Sequence, residues 1–232
     1  SRARLLAVLA WGLGLWALVM GALVATQGWQ ATLTQMGLFF SKAALLTFGG
    51  AYAVLPYVYQ GAVEHFGWLT GPQMIDGLAL GETTPGPLIM VVAFVGFVGG
   101  WQQAVLGPDA LLAGAMLAAS VVTFFTFLPS FIFILAGGPL VEATHGRLGF
   151  TAPLTAITAA VVGVILNLAV FFAQHVVWPQ GWSGPVDAVA GALVVLAAVA
   201  LFRFKTGVMT LLAASGLAGL LLTQAMPSLL RL

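Results

Sequence analysis

The chain has 232 residues, 61% of them hydrophobic and only 6% charged, with a formal net charge of +1. Soluble domains carry about 25% charged residues, so this composition excludes a soluble enzyme or binding module and specifies a polytopic membrane protein with little mass outside the bilayer. No basic run points to nucleic acid, and the absence of cysteine excludes disulfides, thiolate metal sites and cysteine nucleophiles.

The first span lies within residues 1–30. Its uncharged run from Leu5 to Ala25 exceeds the apolar core of a secretion signal, about 7–15 residues, and matches the ~20 needed to cross a bilayer. The chain opens without a methionine, which marks it as a candidate piece of a longer protein.

Residues 31–106 form a core of a different kind. One apolar stretch runs from Ala31 to about Gln60, interrupted at Phe48-Gly49-Gly50 and near Pro56. A second runs from Pro72 to about Gln103, interrupted at Thr83-Thr84-Pro85-Gly86-Pro87. Between them lies a polar connection from Gly61 to Gly71, where Trp68 is expected as an interfacial anchor. Backbone in lipid has no water to satisfy it, so such breaks are tolerated only where buried in protein or facing a polar cavity. Each stretch is either one kinked span or a pair of half-helices folded back on itself; the residues leave both open.

Residues 107–232 supply supporting helices at about 109–136, 150–176, 185–203 and 206–226. Gly107-Pro108, Gly137-Gly138-Pro139 and the segment from Pro179 to Pro185 punctuate them. Asp109 is placed to cap the helix that begins there, and Arg203-Phe204-Lys205 implies a tight antiparallel pair. The expectation is a single all-α transmembrane domain over 1–232 with about seven spans, two of them broken or re-entrant. Arg2, Arg4, the His145/Arg147 loop and Arg203/Lys205 share the cytoplasmic side if the 31–106 core starts and ends outside; Arg231 then violates the positive-inside rule mildly.

Paired broken segments with ionisable neighbours point to a transporter's binding site. Pro87 suits the first position of a helix and Gly86 permits close approach of the backbone. The N–H groups of Leu88, Ile89 and Met90 would then face the break with the positive end of the helix dipole behind them, a site for an anion. Thr83 and Thr84 add hydroxyls. A plain kink stabilised by threonines is the alternative. Gly49 and Gly50 repeat the pattern, whereas Gly96 and Gly100, four apart on a continuous helix, suit close helix packing.

Lys42 stands two turns before Gly49 in apolar surroundings. There it either meets an anion's charge or snorkels to the surface. Glu82 sits at the negative end of a half-helix beside the cradle. Burial would favour its protonated form, which makes it a candidate for proton linkage. A carboxylate that must be neutral before an anion binds favours proton and anion moving together. Pairing with Lys42 or with a backbone amide is the equal alternative. The histidines His65, His145 and His175 lack metal-ligand spacing, and neither an H-E-x-x-H motif nor a phosphate-binding glycine loop is present. No cofactor, metal or enzymatic activity is expected.

The series Phe39-Phe40-Ser41-Lys42, Thr47-Phe48-Gly49-Gly50-Ala51-Tyr52-Ala53-Val54-Leu55-Pro56, Val63-Glu64, Gly67-Trp68-Leu69 and Gly81-Glu82-Thr83-Thr84-Pro85-Gly86-Pro87 resembles the chromate ion transporter family. The likeness covers residues 36 to about 101, and the remaining spans match as a hydropathy pattern. Long members of that family carry two homologous halves; this chain resembles the C-terminal half, and short members are single halves that work in pairs. The resemblance implies one half of an inverted-repeat transporter, with a second homologous half removed from the chain or supplied by a partner. It further implies a multi-pass protein of the bacterial inner membrane that exports chromate, driven by membrane potential or proton gradient, and confers chromate resistance. Lys42, Phe48, Gly49, Gly50, Thr83, Thr84, Pro85, Gly86 and Pro87 are the expected substrate-binding residues. Sulfate is a dianion of similar shape, so a sulfate carrier, or a membrane subunit that only completes a partner half, stays open.

Overall fold

The computed structural model of the chain describes residues 2–47, 51–84, 86–144 and 151–225. Among these residues there are nine α-helices and no strand. They fall in two compact units, one up to Ala169 and one from Val170 onward. Helix α1 spans Arg2–Gln27, α2 Thr32–Leu46, and α3 Ala51–Tyr59, which continues as a wide π turn over Gln60–His65. Helix α4 spans Gly71–Thr83; a 3-10 turn at Leu88–Met90 leads into α5 (Val91–Gln102), and another at Pro108–Ala110 leads into α6 (Leu111–Thr144). Then follow α7 (Thr151–Val177), α8 (Ala188–Phe202) and α9 (Val208–Ala225).

In the first unit α6 is the post on which α1, α2 and α5 pack. Between apolar helices in lipid there is no hydrophobic driving force, so contact depends on small residues that let backbones approach. Gly96 and Gly100 serve this purpose, as their spacing predicts. A methyl group at Gly100 would lie 2.5 Å from the Ala118 Cβ, and one at Gly96 would lie 2.9 Å from the Ala118 carbonyl oxygen. Gly37 does the same one layer away, against Phe125 of α6 and Met20 of α1. The Trp16 indole of α1 donates to the Ser41 hydroxyl of α2 at 2.8 Å, satisfying a polar pair between apolar helices.

Three expectations need correction. Gly137-Gly138-Pro139 does not end a helix; α6 runs through it to Thr144. In apolar surroundings a broken helix would orphan backbone groups, so glycine and proline are tolerated within one. Asp109 does not cap α6: Gly107, at φ +90°, takes the cap position and no side chain bonds there. Trp68 is not an interfacial anchor but is 3% exposed; it stacks on Phe66 at 4.4 Å and packs over Gly99. The polar connection is correspondingly shorter, because the helix continues through the π turn to His65.

In the second unit α8 and α9 pack on each other across the turn at 203–207, where Lys205 has φ +53°. Asp187 caps α8, its carboxylate accepting from the Ala190 amide at 2.9 Å. No described side chain of α8 is buried. Leu196, Phe202 and Leu217 are exposed here, as are Leu6, Trp11 and Ile134 in the first unit. Apolar faces this extensive suit a lipid solvent rather than water. Two helices among the described residues, Ala3–Gln27 and Pro108–Gly138, are long and apolar enough to cross a membrane.

Candidate functional site

The two broken stretches are hairpins. Phe39 of α2 stacks on Tyr57 of α3 with ring centroids 4.9 Å apart, and Gly61 lies directly against the Phe39 ring. Residues so far on either side of the break could not meet if α2 and α3 ran on in one direction. The second stretch folds back in the same way. Gly77 of α4 lies directly against the Phe94 ring of α5, and the Gln102 amide donates to the Gln73 side chain at 2.8 Å. The alternative left open by the residues, kinked span or folded pair, is thereby decided for both.

Local chemistry explains the turns. α2 ends with the Thr47 hydroxyl donating to the Ala43 carbonyl at 2.6 Å. α4 ends with Thr83 donating to Ala79 at 2.9 Å and Thr84 donating to Leu80 at 2.6 Å. The Leu80 carbonyl accepts from the Thr84 amide as well, at 3.0 Å, so the threonine hydroxyls fold back onto the last turn of α4. At the other end α4 opens with a reciprocal cap: the Thr70 hydroxyl accepts from the Gln73 amide, and the Gln73 side chain accepts from the Thr70 amide at 2.9 Å.

Both hairpins point the same way, and their tips meet. The Tyr52 hydroxyl, just past the first break, donates to the Glu82 carboxylate, just before the second, at 2.7 Å. At the open ends Gln103 reaches the Gly67 carbonyl at 3.5 Å. Each arm is short: α2 has 15 residues and α4 has 13, so at 1.5 Å per residue neither exceeds about 23 Å. A hydrocarbon core is about 30 Å thick. Near the tip, Lys42 and Leu45 share a cavity with Leu9 and Leu13 of α1 and Pro129 and Ile132 of α6. Leu9 stands about 9 Å, at 1.5 Å per residue, inside the start of the long apolar helix that begins at Ala3, and Ile132 lies well inside α6, which continues to Thr144.

The residues expected to bind substrate are divided by the fold. Phe48, Gly49, Gly50 and Pro85 lie outside the described residues. Thr84, Gly86 and Pro87 border a cavity of about 270 Å³ between α4 and α5, closed on its other sides by apolar groups such as Met90 and Phe94. Gly86 has φ +150°, a conformation that glycine adopts freely and side-chain-bearing residues do not. The helix after the break starts as a 3-10 turn whose first bond is from the Met90 amide to the Pro87 carbonyl, 2.9 Å; of the three amides expected to face the break, Met90 is therefore engaged. The hydroxyls of Thr83 and Thr84 are engaged as donors within α4, as described above.

Glu82 is exposed rather than buried, and its partner is Tyr52 rather than Lys42. Lys42 is the one charge on α2 and lies elsewhere, in an open groove of about 550 Å³ between α2 and the α3–π segment. Gln35, Tyr57, Gln60, Glu64 and His65 also line that groove.

The model of the chromate transporter family matches residues 34–220. The chain belongs to the chromate transporter family. It is 37% identical over 182 residues to the chromate transport protein of Pseudomonas aeruginosa, covering 77% of this chain and 39% of that protein. It is 31% identical over 174 residues to the chromate transport protein of Cupriavidus metallidurans, covering 75% and 38%. A probable chromate transport protein of Synechococcus elongatus is 28% identical over 62% of the chain and 33% of its own length. The chain thus spans about two-fifths of the length of the first two relatives. No solved structure matches it. Family membership makes the chain a membrane protein of a transporter family.

Sequence reasoning missed Tyr52 as the partner of Glu82, and it missed the groove residues Gln35, Tyr57 and Gln60. Tyr52 stands two residues after the glycine pair, the one signal available. The groove residues are scattered across two elements, and nothing in the chain announces that those elements face each other.

Proposed function

We propose that this chain is one half of a secondary oxyanion carrier, most directly for chromate, with its translocation site where the two hairpin tips meet. The observation that carries the reading is the Tyr52–Glu82 bond, which joins the tips of the two folded-back helix pairs. A polar, ionisable pair within a membrane segment is functional by default. The hairpins act as re-entrant segments opening on the outer side, and α1, α6, α7, α8 and α9 cross the bilayer within one membrane domain. At the second break Gly86 leaves the backbone open to the anion and the Leu88 and Ile89 amides are the donors for it, while Phe48, Gly49, Gly50 and Pro85, expected in the same site, lie outside the described residues. Glu82 exchanges its Tyr52 bond for a proton as the anion passes, which couples the two in the same direction.

Glu82, Thr83, Thr84, Gly86 and Pro87 are all exposed on this chain, and lipid is not a tolerable neighbour for them. A second homologous half in inverted orientation covers them; an odd number of crossings permits that arrangement, and the greater length of the relatives accommodates it. The working protein exports chromate across the bacterial inner membrane on the inside-negative membrane potential, since a proton leaving with the anion would run against the inward proton gradient, and so confers resistance. The same exposed tips favour one second reading, a subunit that is inert until its partner half is present.

Proteoliposomes holding the chain, with and without a homologous N-terminal half, distinguish these readings. Saturable chromate flux under an imposed potential or pH gradient is expected. Flux only with the added half makes this chain one side of a two-part site. Flux that sulfate carries equally well makes it a general oxyanion carrier, and no flux in either preparation overturns the carrier reading.

A further inference from the structure

We infer that the groove between α2 and the α3–π segment is a second binding station for a tetrahedral oxyanion, separate from the hairpin tips and reached from the end where the hairpins open. The inference rests on the carrier reading above and adds a location to it. Lys42 makes no hydrogen bond or ion pair with any described residue. One side of its stem borders an almost wholly apolar cavity with Leu13 and Ile132; the other faces the groove, whose volume is about 550 Å³. A lone ammonium between apolar helices needs a counter-charge or water, and the groove is where either can reach it.

The groove is equipped for more than water. Gln60, at the start of the π turn, brings a side-chain amide to it and Tyr57 a hydroxyl, while Gln35, near the start of α2, gives one of its two side-chain N–H groups to the Trp29 carbonyl at 2.8 Å and keeps the other. These are the donors that a multi-oxygen anion uses. Because α2 and α3 are antiparallel, Gln35 and His65 lie toward the open ends and Lys42 toward the tip, so the groove runs inward from its mouth to a cation. The π turn fits the same purpose. π segments interrupt helices frequently at functional sites, and this one begins at Gln60 and brings Glu64 and His65 round to the groove.

The charged and titratable groups facing the groove are Lys42 from α2, Tyr57 from α3, and Glu64 and His65 from the π turn. Glu64 opposes an anion and so weakens the station. A carrier requires that property, because a station that holds its ion too tightly cannot pass it on. Phospholipid headgroups share the tetrahedral oxyanion chemistry, so the free ion must be distinguished from a lipid phosphate.

The experiment uses the chain in lipid nanodiscs with labelled sulfate, chosen because chromate oxidises thiols. The absence of native cysteine makes Gln60→Cys a clean site for a thiol reagent. Sulfate is expected to protect that position. Lys42→Gln should weaken sulfate binding about ten- to hundredfold, the worth of a charge-assisted contact, and Lys42→Arg should retain it. Glu64→Gln should tighten it several-fold, and in Gly86→Leu, which removes the tip site, sulfate should still protect position 60.

Wild-type affinity in Lys42→Gln without protection at position 60 overturns the station, makes Lys42 a snorkelling residue and leaves the carrier reading standing. Loss of all sulfate binding in Gly86→Leu likewise overturns it, in favour of a single site at the tips. Protection at position 60 that follows anionic lipid content rather than sulfate assigns the groove to headgroups and rejects the free ion. No sulfate binding by the wild-type chain rejects the station, while the carrier reading stands or falls on the flux measured with the added half.

Discussion

The two hairpins share a topology and differ in almost everything else. The α2–α3 hairpin is closed by aromatic rings: Phe39 lies against Tyr57, Phe66 and Trp68, with Trp68 also stacked near Phe40. It carries Lys42, Glu64 and His65 along a polar groove. The α4–α5 hairpin is closed by glycine against side chain and by a pair of glutamines; its cavity is mainly apolar, with Thr84, Gly86 and Pro87 at the break. A hairpin that must hold charges in a bilayer does so between rigid rings, while one whose backbone must bend uses residues with little side chain. On the function proposed above, the first attracts the ion and the second lets the backbone reach it.

The strongest way to break this comparison is to disable one hairpin at a time. Lys42→Ala and Gly86→Leu should each abolish chromate flux in proteoliposomes while membrane insertion, followed by protease accessibility, stays normal. Leucine cannot adopt φ +150° without strain, and alanine removes the α2 charge. Wild-type flux in both would sink the division of labour and the tip site together.

Trp68→Ala tests whether the rings hold the first hairpin shut. Removing a buried tryptophan from a packed core costs about 3–5 kcal/mol, which should be seen as a lower unfolding midpoint in detergent. A midpoint within a degree of wild type would return Trp68 to the membrane interface.

Gly61→Ala and Gly77→Ala sharpen the contrast between rigid and yielding closure. The new methyl would run into the Phe39 ring at Gly61, and into the Phe94 ring at Gly77. Phe39 is buried and hemmed by four rings, so it cannot give way, whereas Phe94 is half-buried and can turn aside. Gly61→Ala should cost about 1–3 kcal/mol by overpacking. Gly77→Ala should be close to neutral, because alanine's better helix propensity, worth up to about 1 kcal/mol, offsets a small shift. Equal losses in thermal scans would remove the distinction.

The smallest effect concerns the link between the hairpins. Tyr52→Phe deletes a single exposed hydrogen bond and should cost about 0.5–1.5 kcal/mol, yet it should change the proton dependence of flux if Glu82 exchanges that bond for a proton. An unchanged pH profile would detach Glu82 from coupling.

Much of the architecture was legible along the chain. The apolar spans, the breaks at Gly49-Gly50 and Pro85-Gly86-Pro87, and the packing role of Gly96 and Gly100 all follow from local rules: lipid forbids unsatisfied backbone, and small residues four apart make a flat helix face. Those rules failed where a residue's fate depends on a distant neighbour. Trp68 looked interfacial because tryptophan usually is, but Phe40, Phe66 and Gly99 surround it. Glu82 looked like a partner for Lys42 because both are rare charges, but Tyr52 reaches it first.

The sequence by itself determined a helical membrane protein, its family, and the two places where the helices break, because each rests on composition or on neighbours in the chain. Only the tertiary structure decided that each broken stretch folds back, that both tips lie together, and that Lys42 faces a groove rather than Glu82. Those outcomes depend on which faces meet across the breaks, and a break in a helix releases the chain's direction without choosing a new one.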